Sequence, residues 1–181
     1  MAKNTSFIHT FGDQTSAVYC GPKGSTGPTG LAAPAAPFVE VGWISEDGVT
    51  QSRSQDATSF RAWQGAQVVK RKITSTEDTF SFQALEENAV VHGLIYRGQV
   101  PTVAAGVATT TITNQSVVDD RAWVIDLIDS TVTKRFVVPS GSHELTGDIA
   151  YTNGDLTVYE FTVTVQGDYF EITNNPAITA A

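Results

Sequence analysis

Cysteine is almost absent: Cys20 is the single one in 181 residues. An internal disulfide is therefore impossible, and the lone thiol reads as an unpaired side chain in a reducing compartment. No apolar run approaches the roughly 18 residues that a membrane-spanning helix needs. The N-terminus, MAKNTSFIHTFGDQ, lacks the charged-then-apolar pattern of a secretion signal. The expectation is a protein made and folded in a cytoplasm. Asn4-Thr5-Ser6 and Asn114-Gln115-Ser116 match the N-glycosylation pattern, which carries no weight in a chain that is not secreted. Positive charge is also scarce. Lys and Arg number 11 against 19 Asp and Glu, a net charge of −8. Gripping nucleic acid depends on Lys and Arg, so this balance suits a surface that nucleic acid slides past without sticking.

The residues of catalysis are missing as well. There is no Gly-x-Ser-x-Gly elbow, and Cys20 lies in a Gly/Pro-rich stretch that makes a poor rigid platform. His9, His92 and His143 have no second His or Cys at metal-ligand spacing. His92 falls on an apolar stripe and is expected as a packed histidine; His143 is expected in a turn. Two pairs of acids stand out, Glu86-Glu87 and Asp119-Asp120. Paired carboxylates do acid–base work only where environment splits their pKa values. The simpler readings are a helix start and a solvated turn. No Walker loop or other Gly-rich phosphate cradle follows a strand. The run Lys70-Arg71-Lys72 is too short for a nucleic-acid patch and reads as a solvated or intersubunit face. The expectation is no enzyme, no cofactor and no metal.

What is present is β-pattern. The length and the 41% hydrophobic content fit one domain with a sizeable core. Residues 1–37 are set apart. They carry Gly21, Gly24, Gly27 and Gly30 at a spacing of three, then LAAPAAP. Too few triplets exist for a collagen helix, so an extended N-terminal arm is expected, entering a β domain over 38–181. Strands are expected over 38–44, 67–74, 77–83, 107–113, 122–129, 133–138, 144–151, 156–165 and 169–173. Ser45-Glu46-Asp47-Gly48 reads as a turn with Gly at positive φ, followed by a long polar loop to residue 62. Asn153-Gly154 between two strand-like runs reads as a hairpin turn. One helix is expected over 85–97, with Leu85, Ala89, His92 and Tyr96 on one stripe, Glu86 and Glu87 in its first turn and Gly98 at its end. Trp123 is expected in the core, and Trp43 and Trp63 as core or interface anchors. The fold class is mainly β: an antiparallel β-sandwich or barrel with one flanking α-helix.

Several segments, in order, resemble siphophage major tail proteins, particularly those of phages infecting actinobacteria. Val41-Gly42-Trp43-Ile44-Ser45-Glu46-Asp47-Gly48-Val49 resembles the family's G-aromatic-aliphatic-S-E-D-G segment. Ala62-Trp63-Gln64-Gly65-Ala66-Gln67-Val68-Val69 resembles its A-W-Q-G segment. Thr79–Phe82 with Leu85–Asn88, Arg121–Asp126, Lys134–Phe136 and Thr146–Tyr151 are similar to later passages. The resemblance covers residues 38–165; the glycine-rich stretch before it departs from the family.

That resemblance implies a tail tube-like fold: a β-sandwich flanked by a helix, assembled as hexameric rings. The rings stack into a tail tube through which double-stranded DNA passes into the host without specific binding. It implies as partners further copies of the chain, a tape measure protein, a tail terminator and a baseplate or tail tip, with residence in the virion tail after assembly in the host bacterial cytoplasm. The N-terminal arm and the 45–62 loop are the expected devices of contact. The residues expected at contacts between subunits or rings are Trp43, Glu46, Asp47, Gly48, Val49, Trp63, Gln64, Lys70, Arg71 and Lys72. The competing readings are an immunoglobulin-like virion decoration or fibre domain and a small hydrolase. The long polar loop and the central helix, which a plain sandwich does not need, favour the tail protein.

Overall fold

The computed structural model describes residues 3–113 and 117–179. The Asn114-Gln115-Ser116 pattern lies outside them. The elements in chain order are β1 (Ala17–Pro22), β2 (Val39–Glu40), β3 (Ile44–Arg61), β4 (Val68–Ala84), α1 (Ala89–Ile95), β5 (Thr102–Ala104), β6 (Val107–Thr109), β7 (Asp120–Asp129), β8 (Val132–Leu145), β9 (Tyr159–Val165), β10 (Phe170–Thr173) and a single turn, α2 (Pro176–Thr179). Every strand pairing is antiparallel. The fold is mainly β, as the patterning indicated.

One sheet runs in the order β2-β1-β7-β8-β9-β4-β3, with β10 also paired to β8. Strand β8 holds it together. Its residues 132–142 pair with β7, and its other edge takes β10 at 134–137 and then β9 at 141–145. The sheet curls around one core. Val41 N donates to Val18 O at 2.8 Å, extending the β1–β2 pairing, and Leu85 N donates to Trp43 O at 2.9 Å, extending the β3–β4 pairing, so residues 41–43 carry the chain directly from one end of the strand order to the other. Inward residues alternate along each strand, as a two-residue period requires: Phe80, Phe82 and Ala84 on β4, Tyr159, Phe161 and Val163 on β9, Trp123 and Ile125 on β7. The rings of Phe82 and Phe161 stand 5.7 Å apart, and those of Phe80 and Phe136 5.1 Å, within the range of favourable tilted contact. Helix α1 closes one end through Val91 and Leu94.

The N-terminal 37 residues differ from expectation. Residues 17–22 are not an arm. They form β1, a buried strand between β2 and β7. Residues 23–38 then fold back over the outer face of β1 and β7, where Phe38, Ala122 and Val124 make a second small core. The glycines permit that close approach: a Cβ at Gly27 would collide with Cγ1 of Val137. The cover is pinned by Arg135. Its Nε and Nη2 donate to Asp126 at 2.5 and 2.6 Å, and its Nη1 donates to the carbonyls of Gly30 and Ala32 at 2.6 and 2.7 Å.

Other boundaries also move. The expected loop over 45–62 is strand β3, paired residue by residue with β4; its polar residues face water on both sides, which erases the hydrophobic period. The two expected strands 67–74 and 77–83 are one strand, β4. Pro139 does not stop β8, because the pairing shifts between Arg121 and Trp123 and a bulge absorbs the missing donor. Residues 146–158 form no strand, so Asn153-Gly154 lies in a loop and not a hairpin turn. The helix is shorter than expected. Asn88 caps it by accepting from the N–H groups of Val90 and Val91, which leaves Glu86 and Glu87 outside. The left-handed residues after it are Arg97 and Gly98.

His143 lies on β8, not in a turn, and is 6% exposed. Its Nε2–H donates to Leu94 O at 3.1 Å, and its Nδ1 has no partner among the described residues. Burial pushes its pKa below 6.5, outweighing the Leu94 hydrogen bond and the charge of Asp119, while Arg121 adds to the depression. Nε2 lies 3.9 Å from Asp119, yet desolvation keeps the ring neutral.

Two outcomes follow from these buried groups. Asp126→Ala would leave the Arg135 guanidinium buried beside no counter-charge, an expected loss of about 3–5 kcal/mol in urea denaturation; a loss under about 1 kcal/mol would show that the pair does not pin the fold. For His143, the unfolded state takes up the proton first. Stability is therefore full above pH 6.5 and falls as the pH drops through that value towards the lower folded pKa. His143→Gln should flatten the slope between about pH 6.5 and 5, where few carboxylates titrate.

Candidate functional site

The groups that could do chemistry are committed to structure. The Cys20 thiol is 3% exposed, and burial pushes its pKa up against the influence of Arg121, so the nucleophilic thiolate is disfavoured. Glu86 accepts from Trp43 N at 3.1 Å, and Glu87 from the Tyr159 hydroxyl at 3.1 Å. Asp119 takes both Nε and Nη2 of Arg121, at 3.0 and 2.8 Å. Asp120 holds Lys23 Nζ at 2.7 Å and Gln166 at 3.0 Å. His9 bridges Asp129 and Asn175, and His92 faces Thr110 at 3.3 Å. Among the described residues no group of three His, Cys, Asp or Glu could hold a metal.

The feature that demands a function is the β3–β4 hairpin. Near the core, β4 is held on its other edge by β9 as far as Thr79. Beyond that pair, β3 and β4 have only each other. The last tie to the body is a polar joint. Arg53 donates to Asp78 at 2.6 and 3.0 Å and to the Tyr169 hydroxyl at 3.0 Å, and Gln51 reaches the same hydroxyl at 3.1 Å. The Arg53 guanidinium pulls the Asp78 carboxyl below its usual range. Past this joint the ribbon runs eight residue steps to Arg61, about 25–30 Å at the usual rise of a strand.

Both of its faces are open to solvent. The register puts Phe60, Lys70 and Lys72 on one face and Arg61, Val68, Arg71 and Ile73 on the other. Phe60, Val68 and Ile73 are exposed large apolar residues. The turn at the tip is closed by Ala62 N donating to Gln67 O at 2.8 Å, with Gly65 and Ala66 at positive φ. It carries Trp63 at 94% exposure. An isolated two-stranded ribbon is marginal in water, and apolar residues on both its faces mark an interaction element.

The expected contact residues separate into two groups at opposite ends of this ribbon. Trp63, Gln64, Lys70, Arg71 and Lys72 gather at the tip. Trp43, Glu46, Asp47, Gly48 and Val49 gather at the root. There the pairing jumps from Ile44–Ala84 to Val49–Phe82, so Ser45–Gly48 bulge from the sheet. Gly48 has the expected positive φ, +68°, within a bulge and not a terminal turn. Trp43 is 64% exposed and Trp123 wholly buried. The sequence reading missed Arg53, Phe60 and Ile73. Pairing the SRSQDATSF run with VVKRKITST as two wet faces of one hairpin is the signal that would have found them.

Among known proteins, the model of the phage tail tube protein family matches residues 1–174. No curated protein matches. Two solved structures are similar at low identity. One is the virion of a native gene transfer agent particle, with 12% identity, 94% of this chain and 98% of that chain covered, and a TM-score of 0.44. The other is the tail of an empty gene transfer agent particle, with 13% identity, coverages of 93% and 98%, and a TM-score of 0.40. A family match over nearly the whole chain makes this a structural component of the virion tail and not an enzyme: the chain belongs to the phage tail tube protein family.

Proposed function

We propose that the protein polymerises as stacked rings of six copies, and that the rings form a tube through which DNA passes into the host cell. The observation that carries this reading is the ribbon, a hairpin with two wet faces and an apolar tip beyond any support from its own body. Such an element is stable only against a neighbour, and copies of the same chain are the neighbours a tube supplies. Trp43, Glu46, Asp47, Gly48, Val49, Trp63, Gln64, Lys70, Arg71 and Lys72 are its proposed contacts between subunits or rings. The long strand β3 is at one end of the strand order, so its outer edge is available for strand addition from the next copy. The net charge of −8 supports a lumen that repels phosphates and keeps DNA moving.

The further partners in this reading are a tape measure protein in the lumen, a tail terminator, and a baseplate or tail tip, with assembly in the host bacterial cytoplasm. The test is negative-stain electron microscopy of the purified chain at high concentration. Rings or hollow tubes are expected, with a channel wider than a DNA duplex, roughly 20 Å by its groove dimensions. A chain that stays monomeric throughout would overturn the reading. A second variant separates folding from assembly. Replacing residues 54–77 by Asn-Gly, a turn suited to a two-residue hairpin, should leave the thermal midpoint within a few degrees of the parent, since none of the removed side chains is in the core. It should abolish tubes.

A further inference from the structure

Charge is divided sharply along the ribbon. Residues 57–76 contain Arg61, Lys70, Arg71 and Lys72 and no Asp or Glu, a charge of +4. The other residues hold seven Lys and Arg against 19 Asp and Glu, a charge of −12. Among the described residues, Lys70, Arg71 and Lys72 have no ion-pair partner.

At the root lies a cleft of about 570 Å³ between the N-terminal segment and the start of β3. Its wall includes Asp13, Glu40, Glu46, Asp47, Glu86 and Asp126, and no Lys, Arg or His. Arg135 neutralises Asp126, which leaves five carboxylates without a cation among the described residues. The rest of the wall is partly apolar: Phe11, Trp43, Ile44, Val49 and Leu127.

Tip and cleft match in two respects. Four cations flank an exposed Trp63 at the tip; five carboxylates surround apolar side chains in the cleft. The tip also has cations and apolar residues on both faces, so a flat surface would satisfy only half of it, whereas a cleft encloses both. Within one chain the two cannot meet. They are joined by a paired ribbon about 25–30 Å long, with the cleft at its base.

We propose that the ribbon tip of one copy seats in the root cleft of the next copy, with Trp63 against the apolar wall and Arg61, Lys70, Arg71 and Lys72 facing the carboxylates of Glu40, Glu46 and Asp47. This makes the tip and root contacts two halves of one interface. The interface is head-to-tail, so it repeats and closes into a ring when its rotation allows. The inference rests on the reading that copies self-assemble, and deepens it by naming the surface that receives the ribbon.

The test is a charge swap at exposed positions. One variant carries Lys70→Glu, Arg71→Glu and Lys72→Glu; the other carries Glu40→Lys, Glu46→Lys and Asp47→Lys. Circular dichroism should match the parent for both. Light scattering after size exclusion should find each variant alone monomeric, because its tip and root now repel. An equimolar mixture should recover parent-like assemblies with the variants alternating, since the acidic tip of one fits the basic root of the other and the reverse pairing fits too. If the parent assembles and either variant assembles alone as well as the parent, the docking surface is wrong while self-assembly stands. The docking surface is equally wrong if the parent assembles and two folded variants fail to rescue each other. A parent that never assembles would overturn the self-assembly reading, and this inference with it.

Discussion

The buried pair between Asp126 and Arg135 is the interaction on which the rest of the fold depends. The two residues are direct partners across β7 and β8, and their side chains meet by two hydrogen bonds in a site nearly closed to water. A slip of one residue in this ladder would move every side chain to the opposite face and separate the charges. Removing one partner of such a pair costs far more than the pair itself contributes, so it works chiefly as a specificity device. It sets the register that places Trp123 and Ile125 inward. The remaining guanidinium nitrogen then holds the carbonyls of Gly30 and Ala32 and with them the cover over the outer face of the sheet.

That cover explains why a glycine-rich opening belongs to the body. The outer face of β1 and β7 is apolar at Ala122 and Val124 and would otherwise meet water. A segment with side chains at every position could not lie so close to Val137. With this face sealed and β8 gripped along both edges, the sheet is a rigid base. The ribbon leaves it through one joint, Arg53–Asp78–Tyr169, built of exposed polar contacts that are individually weak. The mechanical outcome is a stiff body and a ribbon whose distal half has no support of its own.

The parts of this architecture legible in the sequence are those where burial leaves a clear apolar pattern. The alternation of Tyr159, Phe161 and Val163 located β9, because burial of one face imposed the period, and the unbroken apolar run of AWVIDLID located β7, which is buried on both faces. The β3–β4 ribbon was not legible as a hairpin. Water bathes both its faces, so Ser, Thr, Gln and Arg occupy positions of either parity and the two-residue period disappears. Strand β1 was hidden for a different reason: it is only six residues long, and its Gly-Pro ending imitates a linker. The residues proposed as contacts were singled out by side-chain type, as with Trp63 and the Lys70-Arg71-Lys72 run, and by the resemblance of their segments to known tail proteins, and not from any period. What that resemblance could not supply was their division between tip and root, since sequence distance says nothing about which ends of a ribbon face apart.

In the proposed tube, the charge division resolves an apparent conflict with the passage of DNA. A tip bearing +4, left in solvent, is a phosphate-binding patch in miniature, and its attraction reaches about 10 Å at 0.1 M salt. Inside a channel such patches would hold DNA back. Seated in a cleft with five unneutralised carboxylates, the same cations are screened by a fixed counter-charge at contact distance. The proposed head-to-tail docking would therefore consume all the positive charge of the distal ribbon and leave the acidic remainder of the body to face outward and inward. One contact would serve two ends: it supports a ribbon that cannot stand alone, and it removes from the finished tube the groups most able to bind its cargo.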